Sequence, residues 1–126
     1  MIRSVALVLT LAATPALADP TMECPGGSQI EIAACLAAVL DGVDHAVTVA
    51  LGFAQSSASD LDEATGRADA LPAVDAAQAA WTAYRDAQCA AVGAGFGGGS
   101  GTSIAIQSCR IDLGRARMDA LLDMAR

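Results

Sequence analysis

Four cysteines, Cys24, Cys35, Cys89 and Cys109, constrain this chain more than any other feature. The residues around them are too poor in bulk to hold a fold by burial alone. Beyond residue 18 there are 25 alanines and only four aromatic side chains, Phe53, Trp81, Tyr84 and Phe96. A domain of about one hundred residues packed with Ala, Val and Leu buries little area per residue and usually needs cross-links. An even cysteine count suits two disulfides in an oxidising compartment, with three pairings open. Zinc is the competing use, but there is no C-x-x-C pair and the one histidine is His45. No metal site and no cofactor are expected.

The first residues, MIRSVALVLTLAATPALADP, agree with that compartment. Arg3 precedes an apolar run from Val5 to Ala13, and Ala16-Leu17-Ala18 has the small-x-small form of a cleavage site. Residues 1–18 therefore read as a secretory signal peptide, cleaved before Asp19. Residues 19–126 read as a single domain. No cysteine stands at the cleavage point, so no lipid anchor is expected, and no later segment strings together the roughly 20 apolar residues of a membrane span. The expected location is the periplasm or the exterior.

Past residue 18 the chain holds six arginines, no lysine and 14 acids, a net charge of −8. Residues 19–66 contain eight of the acids and no base. Nucleic acid and anionic lipid both need basic patches, so neither is an expected partner. A cationic protein is the partner this charge would suit.

Ser28-Gln29-Ile30-Glu31 reads as a capping box that opens a helix. Apolar residues then recur at Ile32, Leu36, Val39, Val43, Val47, Ala50 and Ala54, in steps of three and four. A bend at Gly42 is compatible with this helix, and SSASD at 56–60 is expected to end it. Residues 60–71 read as an acidic, polar loop or short turn. Pro72 suits the first turn of a second helix, with Val74, Ala77, Trp81, Tyr84, Gln88 and Cys89 on its inner face. Glycines at 93–101 end that helix. Thr102 or Ser103 then caps a third, with Ile106, Cys109, Leu113 and Leu121 at the helical period. Nothing alternates with period two. The expected fold is all-α: a small antiparallel helical hairpin or three-helix bundle stapled by two disulfides. Antiparallel helices joined at 93–101 bring Cys89 and Cys109 to one end, and Cys24 lies two turns or so from Cys35, which favours the two local bridges. Crossed pairings stay open at this level.

Residues 93–98, GAGFGG, match G-x-G-x-x-G, and Asp112 follows at a suggestive distance. That fingerprint must follow a strand and open a βαβ unit. Here it follows a helical stretch, and a P-loop would need a lysine. Asp44 and His45 are adjacent, hence about 100° apart on a helix, and cannot form a dyad. Asp60, Asp62 and Glu63 lack the glycine and terminal glutamate of an EF-hand loop. Ser100 has no base nearby and no nucleophile elbow. No paired carboxylates mark a glycosidase cleft. The chain reads as a non-enzyme without catalytic residues.

The segment AAQAAWTAYRDAQC (76–89), followed by GGS (98–100), Cys109 and LGRAR (113–117), resembles the LprI-type lysozyme-inhibitor family of secreted bacterial proteins. Gln78, Trp81, Tyr84, Arg85, Asp86 and Cys89 fall on the family's helix pattern. Ser100 falls on its loop serine, Cys109 on its second cysteine and Arg117 on its final arginine. Cys24, Cys35 and Asp44 match an earlier cysteine pair and a first-helix acid. Gly114 stands where the family pattern has threonine. The resemblance implies a helical fold, two local disulfides, an envelope location and a protein partner such as lysozyme. Two uses of the surface follow. One is inhibition of a lysozyme or similar cationic hydrolase, with Phe96 and Ser100 near the tip of the glycine-rich loop. The other is an adaptor that binds an envelope protein through the Trp81–Arg85 face, unless Trp81 is core and Arg85 pairs with Asp44 or Asp86.

Overall fold

The computed structural model describes residues 19–126; the expected signal peptide and its cleavage site lie outside the described residues. A short 3-10 turn, η1 (Pro20–Glu23), leads into three helices: α1 (Gln29–Thr65), α2 (Ala70–Ala94) and α3 (Gly101–Met124). No strand occurs among the described residues. The chain runs up, down and up, so α2 is antiparallel to both neighbours. α3 lies parallel to α1, with Ile111 beside Leu36, Gly114 beside Val43 and Leu121 beside Val47 and Ala50.

The capping box at the start of α1 forms as expected. The Glu31 amide donates to the Ser28 hydroxyl at 3.3 Å, and the Ser28 amide donates to the Glu31 carboxylate at 3.1 Å. The helix is then continuous past Gly42 and through the expected end at 56–60. The apolar row continues through Ala54 and Ala58, both buried, so packing overrides the weak helix preference of serine. The end comes at Gly66, whose φ of 68° is the left-handed conformation that closes helices. By length and composition α1 would qualify to cross a membrane, with a mean hydropathy of 1.6 over its most apolar window. That corrects the expectation that no later segment is long and apolar enough. α2 and α3 both pack against it.

The start of α2 differs most from expectation. Asp69 stands at the N-cap but its side chain makes no cap bond. Asp62, one turn before the end of α1, does the capping instead. Its Oδ1 accepts from the amides of Asp69 (3.1 Å) and Ala70 (2.9 Å), and its Oδ2 accepts from Leu71 (3.0 Å). The next residue, Pro72, has no amide hydrogen to satisfy. One carboxylate therefore accounts for the free donors of the first turn. These amides, helped by Arg67, hold the Asp62 carboxyl below its ordinary range. The expected acidic loop or short turn over 60–71 is a tight turn at 66–69, and three of its four acids, Asp60, Asp62 and Glu63, belong to α1.

Two small clusters form the core. Val47, Ala50, Ala54 and Leu121 make one, with Val43, Val74, Trp81 and Met118 packed around it. Cys24, Leu36 and Ile111 make the other, nearer the start of α1. With so little bulk, the helices gain contact by closeness. Gly114 is buried, and a Cβ there would lie 2.5 Å from Val43 Cγ1. Gly93 plays the same part between α2 and α3, where a Cβ would meet Ile106 at 2.5 Å. The glycine in the threonine position of the family pattern is therefore a contact point between α1 and α3.

Both local disulfides are present. Cys24–Cys35 ties the leading segment to α1, and Cys89–Cys109 ties α2 to α3, with Cα separations of 5.7 and 5.5 Å. Each contributes about 3 kcal/mol by loop-closure arithmetic. Glu23 adds a bidentate ion pair to Arg115 at 2.7 and 2.8 Å, which holds η1 on α3.

Candidate functional site

The inner face of α2 carries more polarity than the apolar pattern suggests. Val74, Gln78, Trp81, Arg85 and Cys89 point inward, in steps of three and four. Ala77, Tyr84 and Gln88, expected on that face, are exposed. The inner row passes through Gln78 and Arg85 because each meets a partner on another helix. Arg85 Nη1 donates to Asp44 Oδ1 of α1 at 2.6 Å, and Arg117 Nε of α3 donates to Gln78 Oε1 at 2.9 Å.

Trp81 lies between these two links. The Arg85 guanidinium carbon stands 4.8 Å from its ring centroid and that of Arg117 5.8 Å. Cation–π contacts of this kind are worth about 0.5–2 kcal/mol each. They matter here because Arg85 Nε and Arg117 Nη2 are buried without a hydrogen-bond partner among the described residues. Arg117 has no carboxylate partner within salt-bridge range, and burial lowers its pKa. The ring and the Gln78 carbonyl replace a counter-ion. The structure thus brings Asp44, Gln78, Trp81, Arg85 and Arg117 into one network joining all three helices.

The remaining motif residues are placed differently. Asp86 faces outward and pairs with Arg110 at 3.3 Å. Tyr84 is 54 % exposed and contributes to surface instead of core. Ser100 occupies the N-cap position of α3, yet its side chain makes no cap bond, and the helix starts earlier than the expected caps Thr102 and Ser103. The loop is held by backbone turns instead. The Phe96 amide donates to Gly93 O, that of Gly97 to Ala94 O and that of Thr102 to Gly99 O, at 3.0–3.1 Å. Gly97 and Gly98 have φ of 64° and 84°, conformations that glycine adopts without strain. Phe96 is 56 % exposed at this turn. The Cys89–Cys109 bridge joins the two helices that frame it.

Among the described residues, no group of three or more His, Cys, Asp or Glu side chains is placed to hold a metal ion. His45 is exposed and separate from the network. A family-wide sequence model described as lysozyme inhibitor LprI matches residues 22–121. This chain belongs to the LprI lysozyme-inhibitor family. The matched span takes in both disulfides, the tryptophan network and the glycine loop. No curated protein and no solved structure matches the chain.

Sequence reasoning missed three features of this LprI domain. Asp62 could have been found from its place one turn before Gly66, with proline at 72. The Glu23–Arg115 pair joins residues 92 apart and has no local signal. The closeness at Gly114 shows only once Val43 is known to face it.

Proposed function

We propose that the domain is exported and acts as an inhibitor of a cationic lysozyme or a similar cell-wall hydrolase, without catalytic activity of its own. Membership of the lysozyme-inhibitor family carries this reading. Two physical features support it. Five of the six arginines beyond residue 18 are paired with the domain's own acids, and Arg117 is drawn into the tryptophan network. The outward charge is therefore strongly negative, which speeds encounter with a basic enzyme. The loop at 95–100 offers an exposed Phe96 on a narrow turn between two bridged helices, a shape suited to entering a cleft.

The alternative surface, Trp81 with Arg85, is engaged internally, since Arg85 pairs with Asp44 and Trp81 packs on the core. That favours the loop over the adaptor reading; of Trp81, Tyr84 and Arg85, only Tyr84 is exposed. The test is a cell-wall lysis assay with oxidised protein comprising residues 19–126. Stoichiometric inhibition is expected, with at least a tenfold weaker effect for Phe96→Ser. Absence of inhibition of both animal and bacterial lysozymes at high micromolar concentration would sink the proposal.

A further inference from the structure

The valley between the parallel helices α1 and α3, on the side away from α2, is filled along half its length by the chain itself. Residues 20–24 lie there, with Pro20 and Cys24 buried, Cys24 bridged to Cys35 of α1, and Glu23 paired with Arg115 of α3. The valley does not stop where this segment does. On α1, Phe53 lies five turns beyond Cys35 and so projects in the same direction. On α3, Leu122 lies two turns beyond Arg115. These two apolar side chains, with Ser56, Ser57, Asp60 and Ala125, line an open groove of about 480 Å³. Phe53 is 57 % exposed and Leu122 36 %.

We infer that this open half is a docking groove for a cationic peptide segment of another protein, anchored by a large apolar side chain between Phe53 and Leu122. The covered half shows how such a groove is used: an apolar anchor seats between the helices, and a charged side chain of the occupant pairs with α3. In the covered half α3 offers Arg115 and the occupant supplies an acid. In the open half the charge is reversed. Asp60 lines the groove, exposed Asp119 stands one turn before Leu122, and neither is in an ion pair among the described residues. The nearby Arg126 is bound to Asp123. The occupant must therefore bring the positive charge. The same acids disfavour a second copy, whose groove would present like charge. This groove lies at the far end of the bundle from the Phe96 loop, about 30 Å away along α3, so the inference does not depend on lysozyme inhibition.

The test uses oxidised protein comprising residues 19–126 and a fluorescent 14-residue peptide of alternating Leu and Lys blocks with a helical period. A companion peptide with Glu in place of Lys is the charge control. The Lys peptide is expected to bind at least tenfold more tightly than the Glu peptide. Phe53→Ser or Leu122→Lys should weaken binding at least tenfold, while Phe96→Ser leaves it unchanged. Amide shift changes should map to residues 49–60 and 119–126, a readout available even if one variant fails to fold. Undiminished binding by Phe53→Ser, equal binding of both peptides, or shifts centred on the loop would each overturn the inference. So would a dimer in sedimentation that Phe53→Ser dissolves, which would make the occupant a second copy.

Discussion

Substituting Gly114 by alanine tests whether α1 and α3 are held by closeness. In a free helix the change should stabilise, by about 1 kcal/mol, because glycine is the poorer helix former. Here the added Cβ would lie 2.5 Å from Val43 Cγ1 and 3.9 Å from Val47 Cγ2. Ordinary carbon contacts are about 3.5–4.0 Å, so the overlap with Val43 is about an ångström. Valine on a helix has one strongly preferred rotamer and cannot easily turn away. Overpacking of this kind costs about 1–3 kcal/mol. The balance is a net loss of about 1 kcal/mol, at most about 2. Replacing Val43 by alanine removes the obstructing methyl, so Gly114→Ala made in that background should instead gain about 1 kcal/mol. Equilibrium urea unfolding followed by circular dichroism, with disulfides intact, reads both values, and the cycle isolates the coupling. Gly42→Ala and Gly52→Ala are the controls. A Cβ at either meets nothing within 4 Å, so each should gain about 0.5–1 kcal/mol. A Gly114→Ala effect of the same sign with and without Val43 would refute the close-contact argument.

The other predictions concern the cap, a carboxyl and a bridge. Asp62→Ala should lower the melting temperature and Asp69→Ala should do so much less, because only Asp62 caps α2. The Asp62 carboxyl has a folded pKa below its ordinary 3.8, so its contribution is full above that value and is lost as pH falls through the folded pKa. Thermal melts of Asp62→Ala and the parent should therefore converge in strong acid; a constant gap would contradict the cap. Asp112 is shifted the other way, raised by burial and by Asp19 and Glu23 nearby. Its ionisation opposes folding as pH rises past 3.8, so Asp112→Asn should raise the melting temperature at pH 7 but not at pH 3. Replacing Cys89 and Cys109 together by serine should cost about 3 kcal/mol in urea unfolding, and an unchanged midpoint would deny the bridge its structural role.

The helices, their order and the disulfide pairing were legible because each has a local cause. Ser28 and Glu31 cap within one turn, and each cysteine pair closes a short stretch of chain. The Arg85–Asp44 pair was legible as one of two options, since an arginine beside a core tryptophan needs a carboxylate. Faces were harder to read. Alanine gives little contrast between the sides of a helix, so Ala77, Tyr84 and Gln88 looked as good an inner row as Gln78 and Arg85. What separates them is supplied by Arg117 and Asp44, 39 and 41 residues away. The serines at 56–59 signalled an end only because the buried row beneath them, Ala54 and Ala58, is made of small residues. The candidate site was legible as a list of residues; its division into an internal network and an exposed loop was not.

Both covalent bridges sit toward the same end of the bundle, the end that carries the glycine loop. The far end, where α1 turns into α2 and α3 finishes, has no covalent bridge and is held by the Asp62 cap, the Gln55–Asp75 hydrogen bond and side-chain packing. The domain is therefore graded in rigidity along its axis. A loop on the clamped end has little freedom left to lose when it meets a surface, which lowers the entropic cost of association. The far end can fray and close again on its own timescale without disturbing that loop.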